Sequence, residues 1–94
     1  MPSRSYQLEL TKRAHKEVLA LQPKIRGQVE AIINRLVATL DQGQRPQDMR
    51  TLEGEPDAYR IDRGEYQILF HLDEPKALVT VVRVRHRIDA YRNL

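Results

Sequence analysis

Residues 58–73 read AYRIDRGEYQILFHLD. On either side of Gly64, Tyr59 and Ile61, then Tyr66, Ile68, Phe70 and Leu72, fall at every second position, the period of a half-buried β-strand. A two-residue turn at Arg63-Gly64 predicts a hairpin in which Asp62 faces Glu65, Ile61 faces Tyr66 and Arg60 faces Gln67. One face then carries aromatic and β-branched side chains, and the other carries Arg60, Asp62, Glu65, Gln67 and His71. An apolar sheet face of this kind has to be covered. The chain ahead of the hairpin supplies the cover.

SYQLEL, with Tyr6, Leu8 and Leu10 alternating with polar residues, reads as a short strand with one buried face, and Thr11 after it is a plausible helix N-cap. TKRAHKEVLALQP places Ala14, Val18 and Leu21 on one stripe before Pro23, which predicts a short first helix. KIRGQVEAIINRLVATLDQGQ follows with Ile25, Val29, Ile32, Ile33, Leu36 and Leu40 at the spacing of an amphipathic helix that Gly43 stops. A tight connection around Pro23 makes the two an antiparallel hairpin. QRPQDMRTLEGEPD reads as a loop, and after the turn at DEPK the run ALVTVVRVRHR is the last long strand, with IDAYRNL as a short terminal helix or turn. The expected order is β-α-α-β-β-β, an α+β fold with a mainly antiparallel four-stranded sheet packed on the helix hairpin. The 94 residues form one domain, 1–94.

The chain has no cysteine, which excludes disulfides, thiolate metal sites and a thiol nucleophile and is consistent with a reducing cytoplasm. Neither a signal-peptide stretch nor a membrane-length apolar run is present, so the expected protein is soluble and cytoplasmic. A net charge of +3 favours anionic partners. Phosphate-loop, dinucleotide and nucleophile-elbow motifs are absent. His15, His71 and His86 are scattered over three elements, so neither a metal nor another cofactor is expected.

What remains is the basic set: Arg60 in the hairpin, Arg83, Arg85 and Arg87 in the last strand, and Arg92 beyond it. Such a surface neutralises phosphates, and Tyr91 is positioned in sequence to stack on an unpaired base. The plainer reading of an arginine-laced strand is a solubilised edge.

LEGEPDAYRIDRGEYQILFHLD followed by VTVVRVRHRIDAYR resembles the signature of the RelE/ParE superfamily of toxins, especially its RelE branch, and the helix segment AHKEV and the element order match as well. The resemblance covers nearly the whole chain. It implies the toxin of a type II toxin-antitoxin system, a ribosome-dependent endonuclease that cuts messenger RNA in the decoding site without metal or cofactor. Its implied partners are a RelB-like antitoxin, the ribosome and messenger RNA. Carried over by position, Arg60 is a phosphate- or base-assisting residue, Arg87 the phosphate clamp, Tyr91 the residue that stacks on or orients a base and can take part in proton transfer, and His86 an acid or base. Arg83, Arg85, Gln67, Arg50 and Arg92 are expected to line the RNA path.

Three positions depart from the pattern: Gln67 and Asp62 stand where relatives carry cations, and Arg85 stands where a glycine is usual. A gyrase-poisoning toxin of the ParE branch and a degenerate, antitoxin-binding member therefore stay open beside the nuclease. Register bears on the choice. An uninterrupted last strand puts Arg83, Arg85 and Arg87 on the face of Tyr66, whereas one bulge turns them beside Arg60 and Gln67. The family resemblance predicts a bulge or a break in the ladder near Arg85.

Overall fold

The computed structural model describes residues 5–86. In chain order these form β1 (Gln7–Leu10), α1 (Lys12–Leu19), α2 (Pro23–Asp41), β2 (Met49–Thr51), β3 (Ala58–Arg63), β4 (Tyr66–Asp73) and β5 (Leu78–His86). The strands make one sheet in the order β1-β5-β4-β3-β2, in which β1 runs parallel to β5 and the remaining pairs are antiparallel. The expected four-stranded sheet is thus a five-stranded mixed one. The added strand is β2, whose three residues MRT lie in the segment expected to be a loop and pair with Tyr59, Arg60 and Ile61. The expected terminal helix or turn falls outside the described residues.

Local chemistry explains where the helices begin and end. Thr11 caps α1, its Oγ1 accepting from the Ala14 N–H at 3.1 Å, while Pro23 opens α2 at a position where a missing N–H costs nothing. The α1 carbonyl end is closed from α2, since Arg26 Nη2 donates to the Leu19 and Leu21 carbonyls at 3.0 and 3.2 Å. Gly43 ends α2 with φ +77°, its N–H bonded to the Leu40 carbonyl at 2.9 Å. No helix among the described residues is long and apolar enough to cross a membrane.

Both helices cover one face of the sheet. Ala14 and Val18 from α1 and Val29, Ile33, Leu36 and Leu40 from α2 pack with Ile61, Ile68, Phe70, Leu72, Val79, Val81 and Val84 in a single cluster. Phe70 at its centre has no exposed surface and stacks on Tyr59 at 5.9 Å. Leu8, expected to be buried, is 37% exposed because β1 is the sheet's edge.

The β3-β4 hairpin turns one residue later than Arg63-Gly64. Arg63 pairs with Tyr66, Asp62 with Gln67, Ile61 with Ile68 and Arg60 with Leu69, leaving Gly64-Glu65 as the two-residue loop. Gly64 has φ +60°, so the one residue that tolerates this conformation takes the first loop position, as in a type II′ turn. Each pairing moves by two residues relative to expectation. Because the side-chain period is also two, every residue keeps its face.

The bulge lies in β5 at Val82. Phe70 pairs with Val81 and Leu69 with Arg83, so Val82 is the extra residue. Without it Arg83 and Arg85 would oppose Ile68 and Tyr66 on the helix-covered face; with it they oppose Leu69 and Gln67. The arginines reach the open face through one inserted valine, three positions before Arg85.

Candidate nucleic-acid interface

The open face is assembled from β2 to β5 in two rows of paired residues. Arg50, Arg60, Leu69 and Arg83 form one row across four strands, and Asp62, Gln67 and Arg85 form the next. Gln67 sits at the centre and is 5% exposed, the one buried polar side chain among the described residues. A buried amide needs partners for both ends. Its Oε1 accepts from Arg85 Nε at 2.9 Å, and its Nε2 donates to Asp62 Oδ1 at 2.9 Å. The second carboxylate oxygen of Asp62 accepts from Arg60 Nη1 at 2.9 Å. The result is a chain of guanidinium, carboxylate, amide and guanidinium running across three strands.

Arg83 is held differently. Its Nε donates to both carboxylate oxygens of Glu17 on α1, at 3.0 and 3.3 Å, and Glu17 Oε1 also accepts from the Val84 backbone N–H at 2.8 Å. Thr11, besides capping α1, donates from Oγ1 to the carbonyl of the bulged Val82 at 3.3 Å. Since β1 pairs only with Leu78, Val79, Thr80 and Val81, the far half of β5 would otherwise present these backbone groups without a partner strand. Helix α1 takes the place of the missing strand, and in doing so fixes the bulge.

Two of the four arginines on the face are therefore matched by carboxylates, Arg60 by Asp62 and Arg83 by Glu17. Arg85 and Arg50 form no ion pair with any described residue; Arg50 is exposed and donates to the Gln47 and Met49 carbonyls at 2.7 and 3.4 Å. Such a surface can receive phosphate oxygens on Arg85 and on the free edges of Arg60. Among the described residues no three His, Cys, Asp or Glu side chains converge on a possible metal position.

The structure separates His86 from this group. It pairs with Tyr66 rather than Gln67, stacks edge-on against the Tyr66 ring at 5.3 Å, and places Nε2 3.5 Å from Glu65 Oε2. Alternation along β5 puts His86 on the face opposite Arg85. Arg87, Tyr91 and Arg92 lie outside the described residues. The sequence assigned nothing to Glu17, which sits in a helix reading as ordinary amphipathic surface, and marked Thr11 only as a helix cap, without its bond to Val82. Asp62 it singled out as a departure, without its partners.

The family model describing the ParE toxin of the parDE type II toxin-antitoxin system matches residues 8–91. The chain belongs to the ParE toxin family. It is a toxin of a type II toxin-antitoxin system within the RelE/ParE superfamily. Solved structures similar to this toxin include the intact E. coli RelBE toxin-antitoxin complex, at 28% identity over 86% of this chain and 95% of that one with a TM-score of 0.67. The isolated E. coli RelE toxin in its P21 form is 26% identical over 94% and 95% of the two chains, with a TM-score of 0.64. The RelBE2 complex of Mycobacterium tuberculosis shares the fold at a TM-score of 0.73, with 23% identity over 89% of this toxin and all of that chain. Among curated proteins none matches the toxin.

Proposed function

We propose that this toxin is a ribosome-dependent messenger endonuclease that inhibits translation by cutting RNA in the decoding site. The observation that carries the reading is the bulge at Val82, which sets Arg83 and Arg85 on the same sheet face as Arg60. That face offers cations to an extended polyanion. RelE-like solved structures at 26 and 28% identity add support.

In this reading the 2′-hydroxyl before the scissile bond gives its proton to a base as it attacks the adjacent phosphorus, and the 5′-oxygen leaves as an acid protonates it. Arg60, Arg85 and Arg87 stabilise the charge that accumulates on the non-bridging oxygens, commonly the largest contribution to such a step. Tyr91 orients the base. His86 supplies or accepts a proton only from the end of β5, on the side of Tyr66 and Glu65, and Tyr91, at the family's terminal tyrosine position, is the other residue proposed for proton transfer. Arg50 and Arg92 extend the phosphate path. The scheme is metal-free, as the family resemblance implies.

The partner proposed is a RelB-like antitoxin, in keeping with the solved RelBE complexes. Leu8 and Leu19, 37 and 52% exposed, flank a groove of about 340 Å³ whose apolar floor of Leu10, Val18 and Ile33 is rimmed by His15, Glu30 and Asn34, a surface suited to an amphipathic segment that folds on binding. The site of action proposed is the cytoplasm, where ribosomes are.

A second reading, a gyrase-binding toxin that cuts no RNA, is favoured by the ParE description of the family model and by the carboxylate of Asp62 on the cationic face. Primer extension on a defined messenger in a reconstituted translation reaction separates the two. Discrete breaks at decoding-site codons are expected. Intact messenger together with blocked gyrase supercoiling would overturn the nuclease in favour of the second reading.

A further inference from the structure

Asp62 is an anion at the middle of a cationic face, and both of its oxygens are engaged by donors from outside its own backbone. Arg60 Nη1 donates to Oδ2 and Gln67 Nε2 to Oδ1, each at 2.9 Å. A guanidinium N–H and an amide N–H converging on two oxygens of one anion is the arrangement that also receives the non-bridging oxygens of a phosphodiester. Gln67 is not free to reverse its amide, since Arg85 Nε donates to its oxygen at 2.9 Å and so keeps Nε2 aimed at Asp62. The amide donor is thus held in place by Arg85, on a side chain itself only 5% exposed. The carboxylate is more open: the Asp62 side chain is 27% exposed and that of Arg60 38%.

We propose that Asp62 is an internal competitor for a phosphodiester, occupying the Arg60 and Gln67 donor pair that a phosphate of single-stranded RNA enters when the carboxylate turns out to solvent. The proposal rests on the reading that this face meets RNA and names the group that limits its affinity. A bracing role for Asp62 gives the opposite sign. If the carboxylate served to hold Arg60 in a binding pose, its removal would weaken the ligand.

The test is fluorescence anisotropy of a labelled short oligoribonucleotide, without ribosomes, against wild type, Asp62→Ala, Arg60→Ala and the double variant over a series of salt concentrations. Asp62→Ala is expected to bind about two- to fivefold tighter, the scale of a partly exposed ion pair. Its plot of log affinity against log salt should steepen by about 0.7, one more phosphate neutralised on a single strand. In the Arg60→Ala background the gain should vanish. A gain that survives there would overturn the proposal, since it would reflect net charge alone, and so would unchanged or weaker binding by Asp62→Ala. Should Asp62→Ala fail to fold, Asp62→Asn carries the comparison with tightening of the same sign expected. No binding by any of the proteins would overturn the proposal and leave the ribosome-dependent reading to the primer-extension test. A gain dependent on Arg60 without ribosomal cleavage would leave the proposal standing and remove the nuclease.

Discussion

The two halves of β5 are built from the same alternating pattern and meet different neighbours. From Leu78 to Val81 the strand lies between β4 and β1, and its inward residues Val79 and Val81 have no exposed surface. From Arg83 to His86 it has β4 on one side and α1 on the other, with Thr11 and Glu17 taking the Val82 carbonyl and the Val84 N–H. The first half is a strand in a sheet; the second is a strand edge finished by side chains. The difference shows how a short chain can place cations on a chosen face. One extra residue changes the phase of the pattern, and a helix already needed for the core supplies the polar groups that make this phase stable.

The comparison is broken most severely by putting a charge on the wrong side of the second half. Val84 is 3% exposed in the core cluster, so Val84→Lys leaves an uncompensated buried cation and should cost about 3–5 kcal/mol in urea unfolding, whereas Arg85→Val on the open face, which only takes the donor from the buried Gln67 Oε1, should cost less, about 1–3 kcal/mol. Equal costs would mean that the two faces are not distinct. Glu17→Ala removes the partner of Arg83 and the acceptor of the Val84 N–H; a loss of about 1–3 kcal/mol is expected, accompanied by faster amide hydrogen exchange at Val84 but not at Val79. Thr11→Ala should cost about 1 kcal/mol through the α1 cap. Because Thr11 also binds the Val82 carbonyl, exchange should quicken around the bulge in this variant as well.

The faces of the sheet were legible in the sequence because period-two alternation survives a turn misplaced by one residue: the pairings of Ile61 and Arg60 moved, but their sides did not. Helix ends were legible from Thr11, Pro23 and Gly43, whose side chains or backbone freedom act locally. Strand partnership was not. Residues 49–51 are too short and polar to stand out from a loop, and β1 finds β5 only through contacts about seventy residues apart in sequence, such as Leu10 with Val81. The bulge followed from the requirement that the arginines join Arg60, with no residue near Val82 announcing it. At the candidate site, Gln67 and Asp62 looked like two separate losses of charge. The structure makes them one hydrogen-bonded unit that also holds Arg60 and Arg85. Pairing of that kind depends on the register between strands, which composition cannot encode.

The central claim is that the open sheet face, and not the toxin's positive charge as a whole, does the work on RNA. Single-turnover cleavage on programmed ribosomes tests it with two charge-matched variants, Arg85→Ala on that face and Arg13→Ala on the exposed surface of α1. The account predicts a fall of about tenfold to a hundredfold for Arg85→Ala, the order of losing a preorganised donor, and a wild-type rate for Arg13→Ala. Equal rates in the two variants would contradict it.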